Sequence, residues 1–412
     1  MTKNISKNKR YFQKQLDNWT NIVTQNLTNL TKPQAVVLAM MSLGMIVAQS
    51  CALSAISSQL AILLKIKYCN IRQRIRELCY DSKDKKGTKK KGIKRTQLNV
   101  QACFDPLIRW IVSWWQSKQI ALALDATTLG LSFTILVVSI VYRGCAIPVA
   151  WSITKGNEKK SWNKEWLRML RLVRRSIPKD FFVIVMTDRG LYSPKLFRRI
   201  VRLKWHPFMR INANGTFCPE RGSFKPIKSF AEQPTKSWQG SGVAFKTKGK
   251  HLSCTLLALW EEGQEEAWFI LTDLPPSASS ACWYGMRAWI EQSFRIVKRG
   301  GWQWHKTRMT DPQRASRLLL AISVATLWLM SVGGELDAEI PDSTIPDIRS
   351  YLPQMRGKRK ATLIRLVSIF RVGMLVIHSC LYDHKLLPFG RFFPEPWDNI
   401  NPYKQRILGV NT

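Results

Sequence analysis

Acidic residues are scarce in this chain. Against 64 Lys and Arg stand only 27 Asp and Glu, a formal net charge of +37 over 412 residues. A folded protein tolerates that much self-repulsion when its natural partner is a polyanion. Nucleic acid comes first, because Lys and Arg displace condensed counterions from phosphates; an anionic membrane surface is the competing partner. Histidine is rarer still: there are five, none in an HExxH arrangement, and His378 and His384 stand six apart, a poor ligand spacing. The nine cysteines occur singly, with no CxxC pair and an odd total. That pattern argues against a zinc ribbon and against a disulfide framework, and fits a reducing, cytoplasmic setting.

One uncharged run, Gln34 to Leu64, is long enough on paper to span a membrane. Gln49, Ser50, Ser54, Ser57, Ser58 and Gln59 fill its middle, so it divides into two shorter buried helices. No basic segment followed by a short apolar core and a cleavage site marks a signal peptide. No membrane partner is expected.

With 45% hydrophobic residues the chain can bury sizeable cores. Residues 1–118 read as an all-helical region with a basic end. "YFQKQLDNWTNIVTQNL" is amphipathic, the uncharged run follows, and "LKIKYCNIRQRIRELCY" crowds Lys65, Lys67, Arg72, Arg74 and Arg76 into one span. Two apolar helices and a basic one suit a small DNA-binding unit whose last helix meets the duplex; a solvated basic helix is the alternative. "DSKDKKGTKKKGIKRTQ" reads as a flexible basic linker gripping phosphates without reading sequence. Helical spacing returns in "FDPLIRWIVSWWQSKQ".

The texture then changes. "IALALDATT", "FTILVVSIVYR" and "CAIPVAWSI", separated by Gly130 and Gly144, predict three consecutive strands. A helix ("WNKEWLRMLRLVRRSI"), a strand ("FFVIVMTD"), a helix opened by Ser193-Pro194 and a strand ("HPFMRIN") follow. This order predicts an α/β layer over 119–211, a mixed sheet flanked by helices. Residues 212–279 are richer in Gly, Pro, Thr and Lys, with strands at "GVAFKTK", "LSCTLLALW" and "EAWFILTD", and read as a β-rich insertion. Residues 280–334 return to apolar helices, and 335–412 hold a proline-punctuated stretch and a basic helix, "GKRKATLIRLVSIFRVGMLVIHSCL".

Asp125 closes the first predicted strand and Asp188 the fourth. A carboxylate in an apolar strand is costly unless its charge is offset, and ligands gather at the C-terminal ends of strands in such sheets. Two aspartates reached from neighbouring strands suit a hard cation such as Mg²⁺. The segment from Trp283 to Arg308 reads as a helix. At about 100° per residue, Tyr284, Arg287, Glu291 and Lys298 fall within a stripe about 60° wide, beside an apolar stripe of Met286, Ile290, Phe294 and Val297. Alone, Arg287 and Glu291 are a surface ion pair at i,i+4. With Asp125 and Asp188, Glu291 completes three carboxylates able to hold two metal ions around an in-line phosphoryl displacement. Arg287 and Lys298 would hold flanking phosphates, and Tyr284 would hydrogen-bond or stack beside them. Arg210, ending the fifth strand, is a further phosphate contact or a structural ion pair.

"LALDATT", "VMTDRGLYS" and the pattern Tyr-x2-Arg-x3-Glu-x6-Lys, in this order, resemble the DDE transposases of bacterial insertion sequences, in the subgroup marked by a Tyr-Arg-Glu-Lys helix. The likeness covers about residues 30 to 335. It implies an RNase H-like core, with the β-rich insertion placed between Asp188 and Glu291, which stand 103 positions apart. It also implies cut-and-paste transposition, in which element ends are cleaved, often through a hairpin, and joined to target DNA. Asp125, Asp188 and Glu291 would be the catalytic metal triad, with Mg²⁺ (two ions, replaceable by Mn²⁺). Tyr284, Arg287 and Lys298 would contact transposon-end DNA within a homodimeric complex of element ends and target. Hairpin-forming relatives flip a base onto a tryptophan; Trp238, Trp268, Trp302 and Trp304 are the candidates. Another RNase H-like nuclease and a non-catalytic DNA-binding descendant are the other readings.

Overall fold

The structure is a computed structural model that describes residues 2–85, 96–129, 132–156, 158, 162–353 and 365–399. Four helices open the chain: α1 (Thr2–Asn26), α2 (Lys32–Ala48), α3 (Leu53–Leu64) and α4 (Tyr68–Cys79). The uncharged run does break in two. α2 and α3 meet at 94°, and Gln49 at the break has φ 46, a left-handed cap that ends α2. The Lys/Gly-rich residues 86–95 of the expected linker, and Gly130 of the first expected turn, lie outside the described residues. The flanks of the linker meet, since Lys85 Nζ donates to the Thr96 carbonyl (2.7 Å).

After α5 (Gln101–Ser113), ten strands form one sheet in the order β3-β2-β1-β4-β5-β10-β9-β8-β6-β7. They are β1 (Gln119–Leu129), β2 (Phe133–Tyr142), β3 (Cys145–Lys155), β4 (Phe182–Thr187), β5 (His206–Arg210), β6 (Thr216–Pro219), β7 (Lys225–Pro226), β8 (Ser237–Ala244), β9 (Leu252–Leu259) and β10 (Trp268–Thr272). α6 (Trp162–Ser176) joins β3 to β4, and α7 (Pro194–Arg202) joins β4 to β5. β1 lies antiparallel to β2 and parallel to β4, which is parallel to β5. The fold is therefore mixed α/β, a large mixed sheet flanked by helices.

The near-continuous apolar runs of β1, β2 and β4 follow from burial on both faces. Ile120, Leu122, Leu124, Val183 and Val185 face a core shared with α5, α6 and α7. Ala121, Ala123, Ile184 and Met186 face the opposite core. The strands of 212–279 continue this sheet, because β10 pairs with β5 (Ile270 opposite Arg210). The strand expected at 242–248 instead runs from Ser237 to Ala244. Phe245, at φ 66, turns the chain into the left-handed region and ends it there.

The segment expected to be one regular helix from Trp283 to Arg308 changes pitch twice and ends at Gly300, and 301–308 hold a single 3₁₀ turn at Trp304–Lys306. Ala281–Ala288 is a 3₁₀ helix, α8 (Trp289–Arg295) is α-helical and Ile296–Gly300 is a π turn. α9 (Pro312–Asp337) is long and apolar enough to cross a membrane, yet nearly all of it is buried within the protein. It crosses α10 (Ile369–Tyr382) at a pair of glycines, Gly333 and Gly373. The basic N-terminal part of the last expected helix, 357–364, lies outside the described residues, and within α10 the only cation is Arg371.

Candidate active site

The register of two parallel strands builds the site. Leu124 of β1 pairs with Thr187 of β4. Asp125 and Asp188, the next residues, therefore emerge side by side at the C-terminal ends of neighbouring strands. By the period of two, both point to the face carrying Ala123 and Met186. The segment 281–300 packs on that same face, through Met286 and Ile290.

That segment is bolted at three places. The Tyr284 hydroxyl donates to the Thr187 carbonyl at the end of β4 (3.0 Å). Ser293 Oγ accepts from the Ala146 amide and donates to its carbonyl, both at 2.6 Å, which ties α8 to β3. Lys298 Nζ donates to Thr127 Oγ1 of β1 (2.8 Å). The three bonds span both changes of pitch. Three residues per turn set Tyr284 and Arg287 one above the other, and the wider π turn brings Lys298 back to the same side.

Arg287 stands between all three carboxylates. Its guanidinium lies 2.8 Å from Asp125 Oδ2, 2.7 Å from Glu291 Oε1 and 3.8 Å from Asp188 Oδ2. Asp125 and Arg287 are each only 8% exposed, so the pair sits in a low dielectric where its mutual attraction is strong. Burial pushes the Asp125 carboxyl above the usual carboxylate range, although Arg287 opposes it. Burial also works against the Arg287 charge, but the carboxylates, Asp125 foremost, outweigh it and hold the guanidinium above its ordinary value. Arg287 Nε is buried with no hydrogen-bond partner. Asp188 and Glu291 are open to solvent on their outer sides. The Asp188 Oδ1 accepts from the Leu191 amide (3.0 Å), which shapes the turn into Ser193, whose Oγ caps α7.

The expected contacts divide into an inner and an outer group. Tyr284 is buried with its ring edge-on to Trp268 (5.3 Å). Lys298 is half-buried at the rim. Arg210, at the end of β5, donates to Glu266 (2.8 Å), which also takes Arg189 (3.0 Å). Of the four tryptophans, Trp268 makes a ring contact with a member of this cluster. Trp302 and Trp304 are core residues, and Trp238 packs on Phe217 and Phe230. Thr127, Thr187, Ser293, Arg189 and Glu266 escaped the sequence reading. Their parts depend on contacts across the sheet, and only the run "DATT" after the first strand hinted at one.

Among the described residues, no three His, Cys, Asp or Glu side chains stand at metal-holding spacing. In this cluster a guanidinium takes the central place. The donor set, three carboxylates around one positive charge, nevertheless has the hard-oxygen chemistry of a Mg²⁺ or Mn²⁺ site. In this structure those carboxylates are engaged by Arg287.

Residues 117–328 match the family model described as "Transposase DDE domain". No curated protein matches the chain. Among solved structures, the chain is similar to one titled "Cryo-EM structure of piggyBac transposase synaptic complex with hairpin DNA (SNHP)", at 9% identity and a TM-score of 0.39, over 86% of this chain and 73% of that one. That likeness is too loose to carry an argument. The family match spans more than half of the sequence and contains both aspartates, the glutamate and the helical segment that bears it. This chain belongs to the DDE transposase family, whose members generally use divalent metal ions.

Proposed function

We propose that the protein is a cut-and-paste DNA transposase of the bacterial insertion-sequence type, with Asp125, Asp188 and Glu291 as its catalytic triad. One observation carries the reading: carboxylates from two adjacent strand ends and from a helix bolted across the same face surround a single cation. The strand order β3-β2-β1-β4-β5, with parallel β1, β4 and β5, supports an RNase H-like core made of 119–211 and 280–334, with 212–279 inserted. The N-terminal helices and their basic end would bind DNA, and 335–412 would close the core. The reaction would take place on DNA in the cytoplasm, in a homodimeric complex of element ends and target.

A bound divalent cation, Mg²⁺ or Mn²⁺, would activate water or a 3′-hydroxyl and take up charge on the leaving oxygen. The chain's own groups orient the substrate. Lys298, held at the rim by Thr127, would hold a phosphate flanking the scissile bond. Arg287, released from Asp125 and Glu291, would hold another through its planar fork of donors. Tyr284 fixes the helical segment to β4 and so sets how far Glu291 reaches. Arg210, once freed from Glu266, would add a contact on the strand side.

The test is cleavage, with Mg²⁺, of DNA carrying the element's ends, by the parent and by Glu291→Gln. The swap keeps size and removes the metal-binding charge. Cleavage should fall by at least about a hundredfold while DNA affinity holds. Equal cleavage would remove Glu291 from the triad. Tight binding with no cleavage by either protein would favour a non-catalytic DNA-binding descendant.

A further inference from the structure

We propose that the outer face of α6 and α7, on the side of the sheet away from the carboxylates, is a docking surface for a second DNA duplex. The two helices carry nine Lys and Arg and one acid, Glu165, which Arg168 engages (2.8 Å). On α6, Lys164, Arg171 and Arg175 fall within about 40° of one another at 100° per residue. Trp166, Met169, Leu170 and Val173, the buried side, lie opposite. On α7, Lys195, Arg199 and Arg202 fall within about 60°, again opposite the buried Leu196, Phe197 and Ile200.

Both helices join parallel strands and pack their apolar sides into the same core, so the two cation stripes face the same way. Arg174 Nε donates to the Leu203 carbonyl (2.9 Å), which fixes the C-terminal ends of the pair together. Among the described residues, none of the six stripe cations has a carboxylate partner. That is unlike Arg189, Arg210 and Arg287 near the carboxylates, each of which is paired.

The dimensions suit a duplex. Lys164 to Arg175 spans about 16 Å, or roughly five base pairs, and packed helices stand about 8–10 Å apart, between the widths of the two DNA grooves. A duplex is stiff over about 150 base pairs. One lying along α6 and α7 is therefore not the same straight segment that offers its strand to Asp125 and Glu291 across the sheet. It is a second duplex, held by its phosphates without sequence readout. This inference rests on the transposase reading for the identity of its partner.

The triple variant Arg171→Glu, Arg175→Glu, Arg202→Glu tests it, beside a control of equal charge change at the far end of the sheet, Lys225→Glu, Lys228→Glu, Lys236→Glu. Affinity for a mixed-sequence DNA duplex is measured against salt. The slope of log K on log salt should fall by about 2 to 3 in the α6–α7 variant, about 0.9 for each phosphate no longer neutralised, and by less than about 1 in the control. Equal slope changes in the two variants would overturn the proposal. So would a loss confined to single-stranded RNA or to phosphatidylserine vesicles, run as parallel probes. If the parent cleaves nothing, the transposase reading fails while the slopes still decide the surface. If the triple variant does not fold, Arg171→Gln, Arg175→Gln, Arg202→Gln carries the same comparison.

Discussion

A guanidinium among three carboxylates has two consequences that separate Arg287 from an ordinary surface cation. It neutralises a buried aspartate, and it occupies the centre that a divalent cation would take under the proposed function. Removing it leaves carboxylates facing one another in a low dielectric. Arg287→Gln should therefore cost about 3 kcal/mol of stability without divalent metal. Because metal binding stabilises the folded state by linkage, Mg²⁺ should restore more of the variant's melting temperature than it adds to the parent's. Equal Mg²⁺ shifts in thermal melts of the two proteins would show that Arg287 does not compete for the site. A second buried ion cluster joins the β2–β3 turn to the end of α9. Arg143 (2.6 Å) and Arg365 (2.7 Å) converge on Asp337, and Arg365 also pairs with Glu395. Burial alone would raise the Asp337 carboxyl, but the Arg365 and Arg143 contacts outweigh it and hold it below the usual range. The lowered folded value means that the stability is present above the unfolded pKa and is lost as pH falls through the folded one. Asp337→Asn should cost about 3 kcal/mol at pH 7, and the gap to the parent should narrow in denaturant titrations below about pH 4.

Elements were legible where one periodicity ruled. β1, β4 and α6 were all anticipated, because a buried strand reads as an apolar run and α6 alternates cleanly between Trp166, Met169, Val173 and its arginines. Of the helix expected over 283–308, residues 283–300 are helical but not regular, and the chain leaves the helical run at Gly300. The bonds of Tyr284 to β4 and Lys298 to β1 are long-range, and no local pattern in the sequence announces a 3₁₀ or π turn. The grouping of Tyr284, Arg287, Glu291 and Lys298 on one side was legible, since the mixed pitch brings them together much as a regular helix would. The close crossing of α9 and α10 was not. A Cβ on Gly373 would collide with the Leu329 carbonyl, and one on Gly333 with the Ile369 carbonyl. Gly373→Ala should force these helices apart at a cost of about 3 kcal/mol, seen as a lowered denaturation midpoint with unchanged helix content.

Across the whole molecule, the last described segment closes the core that the first helix opens. Trp19 of α1 stacks on Trp328 of α9 (4.0 Å), which stacks on Phe389 (5.2 Å) and donates to the Pro388 carbonyl. Trp397 then wedges between Phe182 of β4 and Trp283, one residue before Tyr284. A chain ending at residue 365 should leave this aromatic face open. Strong binding of a hydrophobic dye and loss of a cooperative melt would be the signs, and a truncated chain that melted like the parent would contradict the account. By itself the sequence determined what depends on local order and on chemical type: the order of strands and helices, the polyanion-seeking charge and the residues of the candidate triad. The tertiary structure alone decided that residues 212–279 extend the sheet and that Arg287 sits among the three carboxylates. It alone also decided that the C-terminal segment buttresses the helical segment bearing Glu291, and that the cations of α6 and α7 share one face. Each of these is a relation between residues far apart in the chain. Register, packing and charge pairing set such relations, and a local pattern in one sequence carries no record of them.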